Sequence, residues 1–377
     1  MRVTQLCNTL SASDGGPARH ALEVNAALNR LGVDVQLYST RTSIDALTPT
    51  FLAREGLAFR EPKNASTLSE LVAAVKRADA VIIHGYFLGW VAAAVAIARL
   101  HQKPVLLMPH GALTSYDRSR NSAKKDFFHL TCGWWINRSV RFVVATERES
   151  ADLKRRSPHA QVTVVGAGAS SPAISPEKFL HTPISLLSLS RIASKKRIDL
   201  AIRTLSILRK RGVDAILRIG GEGQTELTFS LQRLAEAEGI DEHVQFVGHV
   251  EGPDKESLFE TSDILLLLSD DENFGIGLAE ALSRGLPAVT TTAVEAASSM
   301  SPAFCPRVVP GDAEGAADQV QSLADGYHAK SKAAIEAAHQ AFSWDSVAKR
   351  WAQTLDEIAS GHHSLGSLSS HETDLHN

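Results

Sequence analysis

The sequence predicts an α/β protein built from two doubly wound domains. Three observations carry that expectation. Short apolar runs alternate with amphipathic helical patterns through both halves of the 377 residues. The runs are apolar throughout, the pattern of parallel strands covered on both faces. The alternation breaks once, at residues 170–183 (SSPAISPEKFLHTP), whose three prolines and several serines mark a linker.

The elements follow in order. The opening MRVTQLC reads as a strand. Residues 18–31 form a helix with Ala21, Val24, Leu28 and Leu31 on one face. Strands are expected at 33–39, 80–84, 104–109 and 139–145. The most apolar stretch, 87–100 (FLGWVAAAVAIARL), is far short of the ~20 residues that span a membrane, so it is a buried helix. Beyond the linker, strands at 184–190, 215–220, 244–247, 264–268 and 288–291 alternate with helices at 199–211, 228–238 and 276–284. An amphipathic helix capped by Ser343 covers 344–358. The stretch 361–377 is polar and aperiodic, and is expected to be disordered, with His362, His363, His371 and His376 solvated.

Composition narrows the functions. A net charge of −3 gives no global drive toward nucleic acid or anionic lipid. Cys7, Cys132 and Cys305 lie far apart with no CxxC pair, which argues against a zinc site or a disulfide framework and suits a reducing cytoplasm. The N-terminus lacks the apolar core of a signal segment.

In doubly wound folds, ligands bind beyond the carboxyl ends of the strands, so the loops that follow strands deserve the closest reading. In DENFGIGLAEALSRGLP, Glu272 and Glu280 are separated by seven residues, with Asn273, Phe274, Gly275 and Ile276 opening the intervening turn. Glycines at a helix start let a phosphate approach free N–H groups, and the helix dipole favours its charge. Glu280 is placed to accept from ribose hydroxyls and Glu272 from a sugar ring. Both also fit the bland reading of acids near a helix start. Arg191 to Asp199 (RIASKKRID) follows the strand 184–190. Its cations Arg191 and Lys196 suit a diphosphate clamp, or else a solvated basic loop. Asp14-Gly15-Gly16-Pro17 makes a phosphate-friendly turn after the first strand. Gly221-Glu222-Gly223 lacks the third glycine of a dinucleotide fingerprint and reads as a tight turn. His84 and His110 each end a strand, where an imidazole either positions a ligand or is a satisfied structural group.

Taken together, these residues resemble the retaining glycosyltransferases of family 4, over nearly the whole chain. The resemblance rests on E-x7-E in ENFGxxxxEAxxxGxP, on R-x4-K with Asp199 three residues on, and on the Gly15-Gly16 loop. It implies the GT-B fold, two Rossmann-like domains facing across a cleft. Residues 1–172 would bind the acceptor and 181–342 the nucleotide sugar, with helix 344–360 crossing back to the first domain. It implies that Arg191 and Lys196 hold the donor diphosphate, Glu280 the ribose and Glu272 the transferred sugar. Backbone N–H groups of residues 274–277 and of Gly15-Gly16 would contact phosphate or sugar, and His110 would sit by the reacting centre. No metal and no cofactor beyond the nucleotide-sugar co-substrate is implied. The segment from His110 through Ala145-Thr146-Glu147 looks like bacterial members that build exopolysaccharides or glycolipids. Two departures stand out: Gly166-Ala167-Gly168 replaces a usual Pro-Asn-Gly, and Arg197 replaces the glycine that usually follows the lysine.

Three other readings stay open on sequence alone. One is a metal-dependent transferase using Asp270-Asp271-Glu272, another a glycoside hydrolase using the two glutamates. The third is a nucleotide-sugar-binding module without catalysis. Residues 117–156 hold ten Lys/Arg against five Asp/Glu beside Phe127, Phe128, Trp134 and Trp135. That segment fits either contact with an anionic membrane or lipid-linked acceptor, or a solvated face.

Overall fold

A computed structural model of the chain describes residues 1–10, 16–41, 62–113, 128–170 and 177–369, apart from the side chains of 129, 130 and 361–369. Asp14, Gly15, much of the linker, residues 117–127 of the basic segment, His371 and His376 lie outside the described residues. The chain divides into two compact units, Met1–Gly168 with Trp344–Asn377, and Ala169–Ser343.

The N-terminal unit is built on seven strands. They are β1 (Arg2–Cys7), β2 (Asp34–Ser39), β3 (Lys63–Asn64), β4 (Ala80–His84), β5 (Val105–Met108), β6 (Arg141–Val144) and β7 (Gln161–Val164). The order is β3-β2-β1-β4-β5-β6-β7, with every pair parallel. The strand period of two sends alternate side chains to opposite faces. Val81 and Ile83 join Val91, Val95, Ile136 and Phe142 on one side, under the helix Gly89–Leu100. Ala80 and Ile82 join Val24, Leu28, Val347, Trp351 and Leu355 on the other, under the helices Gly16–Arg30 and Trp344–Ser369. Trp351 is fully buried, so the C-terminal helix is a core element of this unit.

That helix is longer than expected. It continues to Ser369, so the disorder predicted for 361–377 does not hold for 361–369, and 370–377 lie outside the described residues. No proline interrupts the extension, and its two glycines, Gly361 and Gly366, cost only about 1 kcal/mol each, too little to stop a helix already nucleated. The Gly166-Ala167-Gly168 loop has its reason in the same helix. Gly168 packs directly under the Trp344 ring, where a methyl group would collide with it. Gly166, at φ +80°, lies against Arg350, whose Nε donates to Val165 O at 2.6 Å.

The second unit repeats the design with six strands: β8 (Ile184–Leu189), β9 (Ala215–Gly220), β10 (Val244–Gly248), β11 (Ile264–Leu267), β12 (Ala288–Thr291) and β13 (Arg307–Val308). Their order is β10-β9-β8-β11-β12-β13, again all parallel. Buried Asp263 sets the entry to β8, accepting from Ser185 N–H at 2.8 Å and pairing with His181 at 2.7 Å. Strand order reverses between β1 and β4 in one sheet and between β8 and β11 in the other. These switch points are where doubly wound sheets open a crevice at their carboxyl ends.

Candidate functional site

In the C-terminal unit the loops after β8 and β11 lie side by side. The β8 loop is held by backbone bonds, Ser190 N–H to Gly220 O at 3.0 Å and Ile192 N–H to Glu222 O at 2.8 Å. Gly221 makes this possible at φ +133°, and a methyl group there would collide with Ser190 O. Gly223 is under the same constraint from Ile192 O. Gly221-Glu222-Gly223 is therefore a turn of close backbone approach. With Ile192, Thr228 and Phe246 it lines a pocket of about 260 Å³.

Arg191 stands exposed at the start of this loop, and no hydrogen bond or ion pair joins its side chain to the described residues. The 3₁₀ turn Ser194–Lys196 follows, and the Lys196 ammonium pairs directly with the Glu272 carboxylate of the β11 loop. Both side chains are mostly buried, at 12% and 17% exposed, so their attraction is less screened than at a surface. Asp270 N–H donates to Lys195 O at 2.9 Å and ties the two loops together. The acidic run is thus divided between cations: Glu272 faces Lys196, while Asp270 accepts from Arg197 at 3.1 Å.

Beyond Glu272, Gly275 takes the left-handed conformation at φ +83° and caps the helix Ile276–Ser283. The first internal bond, Leu278 N–H to Gly275 O at 2.9 Å, leaves the N–H groups of Ile276 and Gly277 ahead of it. Gly277 brings this helix start against the end of β8, since a methyl group there would sit 3.2 Å from Leu189 O. Phe274 is buried edge-on to Phe342 at 5.5 Å, Asn273 is half-buried and Ile276 is exposed. Glu280, one turn on, is 4% exposed and accepts from Lys255 Nζ through both oxygens, at 2.9 and 2.7 Å. The structure therefore brings Arg191, Lys196, Glu272 and the helix start together at the β8/β11 switch point. It engages Glu280 with a lysine that the sequence reading missed. Lys255 lies 25 residues away on the helix Gly252–Glu260 and carries no spacing signal.

In the N-terminal unit, Gly16 opens the helix Gly16–Arg30, and Gly15 lies outside the described residues. His84 ends β4 and is buried, and His110 follows β5 in a left-handed backbone conformation at φ +52°. Their rings meet through His84 Nδ1 and His110 Nε2 at 2.9 Å. His20, from the first helix, stands edge-on to His110 at 5.2 Å. Burial pushes the imidazoles of His20 and His84 well below 6.5 and that of His110 to about 4, so all three are neutral at pH 7.

Residues 14–171 match the family described as Glycosyltransferase Family 4, and residues 171–341 that described as Glycosyl transferases group 1. The chain belongs to the family 4 glycosyltransferases. It is 22% identical over 388 aligned residues to a GDP-mannose:cellobiosyl-diphosphopolyprenol alpha-mannosyltransferase of Komagataeibacter xylinus, covering 95% of this chain and 93% of that protein. It is 32% identical over 112 residues to a mannosylfructose-phosphate synthase of Agrobacterium fabrum, covering 28% of this chain and 25% of the relative. The match to that relative and to two others spans only 25% to 56% of their own lengths. Among solved structures, Anabaena HepE in complex with UDP superposes with a TM-score of 0.71 at 14% identity, over 95% of this chain and 100% of that one. The glycosyltransferase has the GT-B fold.

The geometry also explains how this glycosyltransferase departs from the family's usual glycine after the lysine. Arg197 adopts φ +50°, the conformation that glycine takes without penalty. A non-glycine residue there costs roughly 1–2 kcal/mol. The Arg197 guanidinium offsets that cost by holding Asp199 through two bonds of 3.0 and 2.9 Å, and Asp270 at 3.1 Å. Those acids raise its affinity for the proton further.

Proposed function

We propose that this glycosyltransferase moves a sugar from a nucleotide diphosphate to a hydroxyl acceptor, without a metal ion and with retention of anomeric configuration. The observation that carries the reading is the Lys196–Glu272 pair beside exposed Arg191 at the β8/β11 switch point. When the glycosidic bond to phosphate breaks, negative charge grows on the departing diphosphate. Arg191, Lys196 and the N–H groups at the start of the helix Ile276–Ser283 neutralise it, as fixed cations and dipoles do for a developing anion. Glu272 then serves the transferred sugar, with backbone groups of residues 274–277 and of Gly15-Gly16 contacting phosphate or sugar. Glu280 takes the ribose hydroxyls by exchanging Lys255 for them. His110 is assigned to the reacting sugar. The sugar passes through an oxocarbenium-like state, and the acceptor hydroxyl attacks from the leaving-group face, giving its proton to the departing phosphate oxygen.

Solved HepE complexes contain UDP and UDP-glucose, and the Komagataeibacter relative is named for GDP-mannose and a diphosphopolyprenol acceptor. Both support a nucleotide-sugar donor and a carbohydrate or lipid-linked acceptor in cell-surface polysaccharide or glycolipid synthesis. No described helix is long and apolar enough to cross a membrane. None of the three cysteines forms a disulfide, which supports a cytoplasmic setting. Exposed Trp134, with the Arg138 guanidinium 4.6 Å from its ring centre, supports peripheral contact with the inner membrane face.

The test begins with UDP-glucose, GDP-mannose and ADP-glucose as thermal-shift ligands, since a ligand selective for the folded state raises its melting temperature. Transfer from the stabilising donor is then followed by radiolabel, in EDTA, with the product anomer read by NMR. Arg191→Ala is expected to lower kcat roughly 100- to 1,000-fold with an unchanged melting temperature. Wild-type turnover by that variant would remove the clamp, and activity abolished by EDTA would remove metal independence.

A further inference from the structure

The N-terminal unit contains a hydrogen-bond chain that fixes which nitrogen of His110 carries the proton. It starts on the first helix and crosses the sheet. Val35 N–H donates to Asn29 Oδ1 at 3.4 Å, and Asn29 Nδ2 donates to Asn25 Oδ1 at 3.1 Å. Asn25 Nδ2 donates to Gln5 Oε1 at 3.1 Å. Gln5, fully buried on β1, turns its Nε2 to Ala21 O at 2.8 Å and to His84 Nε2 at 2.8 Å.

Donor and acceptor accounting leaves one solution. Ala21 O only accepts, so the Gln5 amide nitrogen, not its oxygen, must face it. The same nitrogen therefore donates its second hydrogen to His84 Nε2, which carries none. Neutral His84 then holds its proton on Nδ1, and that proton points at His110 Nε2, 2.9 Å away. His110 Nε2 accepts, so the proton of neutral His110 is on Nδ1. Among the described residues no hydrogen-bond partner meets that Nδ1–H.

We propose that Gln5 and His84 are positioning residues that lock His110 as its Nδ1–H tautomer, so that it offers a hydrogen-bond donor, and no base, to an oxygen of the bound sugar or diphosphate. The proposal rests on the assignment of His110 to the reacting sugar. Its chemical consequence is specific. A bare Nδ1 would repel a substrate oxygen that carries lone pairs or growing negative charge, whereas Nδ1–H stabilises it. The left-handed backbone at His110 and the buried amide ladder behind it hold the ring in place, so no reorganisation is needed when the charge develops.

The decisive measurement is ring-nitrogen NMR of the full chain labelled with ¹⁵N-histidine at pH 7.5. The signals are assigned by their loss in His84→Gln and His110→Gln. Both rings are expected to show a protonated Nδ1 and a bare Nε2. A proton on Nε2 of His110 would overturn the proposal without any kinetic result. In transfer assays with the best donor among UDP-glucose, GDP-mannose and ADP-glucose, Gln5→Met should lower kcat roughly a hundredfold, the size of one lost fixed donor, with donor KM within about threefold. Its spectrum should show His110 divided between two tautomers, a readout that loss of packing alone would not move. Unchanged kcat in Gln5→Met beside a crippled His110→Ala overturns the positioning role and leaves His110 at the site. Full activity of His110→Ala overturns the assignment on which the proposal stands.

Discussion

The two units share one architecture and arm their switch points in opposite ways. In the N-terminal unit the strand ends near the β1/β4 reversal present neutral imidazoles, backed by buried amides and held by uncharged hydrogen bonds. In the C-terminal unit the ends of β8 and β11 present paired charges: Lys196 with Glu272, Arg197 with Asp199 and Asp270, Lys255 with Glu280. A neutral ladder whose buried amides are paired is rigid and specifies one arrangement. A charge in such a pair needs compensation but not one fixed partner, so a phosphate or a ribose that supplies the compensation can replace one of them. One unit is built to hold a donor group still, the other to exchange partners.

The largest effect that would break this comparison is on the backbone of the C-terminal unit. All five tryptophans, at 90, 134, 135, 344 and 351, belong to the N-terminal unit, so their fluorescence reports on that unit alone. Gly221→Ala forces a methyl group onto Ser190 O at φ +133° and should cost about 4 kcal/mol. Circular dichroism in urea is expected to show an early transition that tryptophan fluorescence does not follow. Coincident shifts in both probes would show that the two units unfold as one.

Acid should strike the other unit. The His110 imidazole is held at about 4 against an ordinary 6.5 by burial, and His20 and His84 are lowered as well. Between those values the unfolded chain binds protons that the folded unit refuses. The penalty is absent above pH 6.5 and grows as pH falls toward 4. His110 alone accounts for about 3 kcal/mol at the acid end. Tryptophan-detected urea midpoints should therefore fall steeply between pH 6.5 and 4, and replacing His84 and His110 by glutamine should flatten that slope. A slope unaltered by the double replacement would assign the acid sensitivity to other groups.

How much of this was readable in advance follows from the physics of each feature. Strands 80–84, 215–220 and 288–291 were readable to the residue because β-rich, largely apolar runs end there at turn-forming or charged neighbours. Arg191, Lys196, Glu272 and Gly275 were readable because a strand end followed by cations, acids and glycine is a local pattern. The helices Gly252–Glu260, Ala313–Ala324 and Tyr327–Phe342 were not resolved. The first has little apolar periodicity and the third is alanine-rich, while the second buries Ala316, Ala317, Val320 and Leu323, a stripe whose small residues give a weak apolar signal. Gln5 and Lys255 were invisible for a different reason. A glutamine in a strand and a lysine on a helix acquire meaning only from His84 and Glu280, which folding brings to them across 79 and 25 residues. The continuation of the last helix to Ser369 leaves no local signal, because residues 361–369 are polar and aperiodic and extend a helix nucleated before them.

The smallest effect tests the exchangeable side most directly. Lys255→Met keeps the length of the side chain and removes its charge, leaving the Glu280 carboxylate, 4% exposed, without the ammonium that now meets both its oxygens. The expected cost is about 2 kcal/mol, below that of a fully buried pair because Lys255 is partly exposed. Lys255→Met combined with Glu280→Gln should recover most of the stability, since no unpaired charge remains. The double variant separates structure from binding: if Glu280 takes ribose hydroxyls, the recovered fold should still bind UDP-glucose, GDP-mannose or ADP-glucose more weakly than wild type. Full donor affinity in the double variant would reduce the Lys255–Glu280 pair to a structural clasp and leave the C-terminal unit with one exchangeable pair fewer.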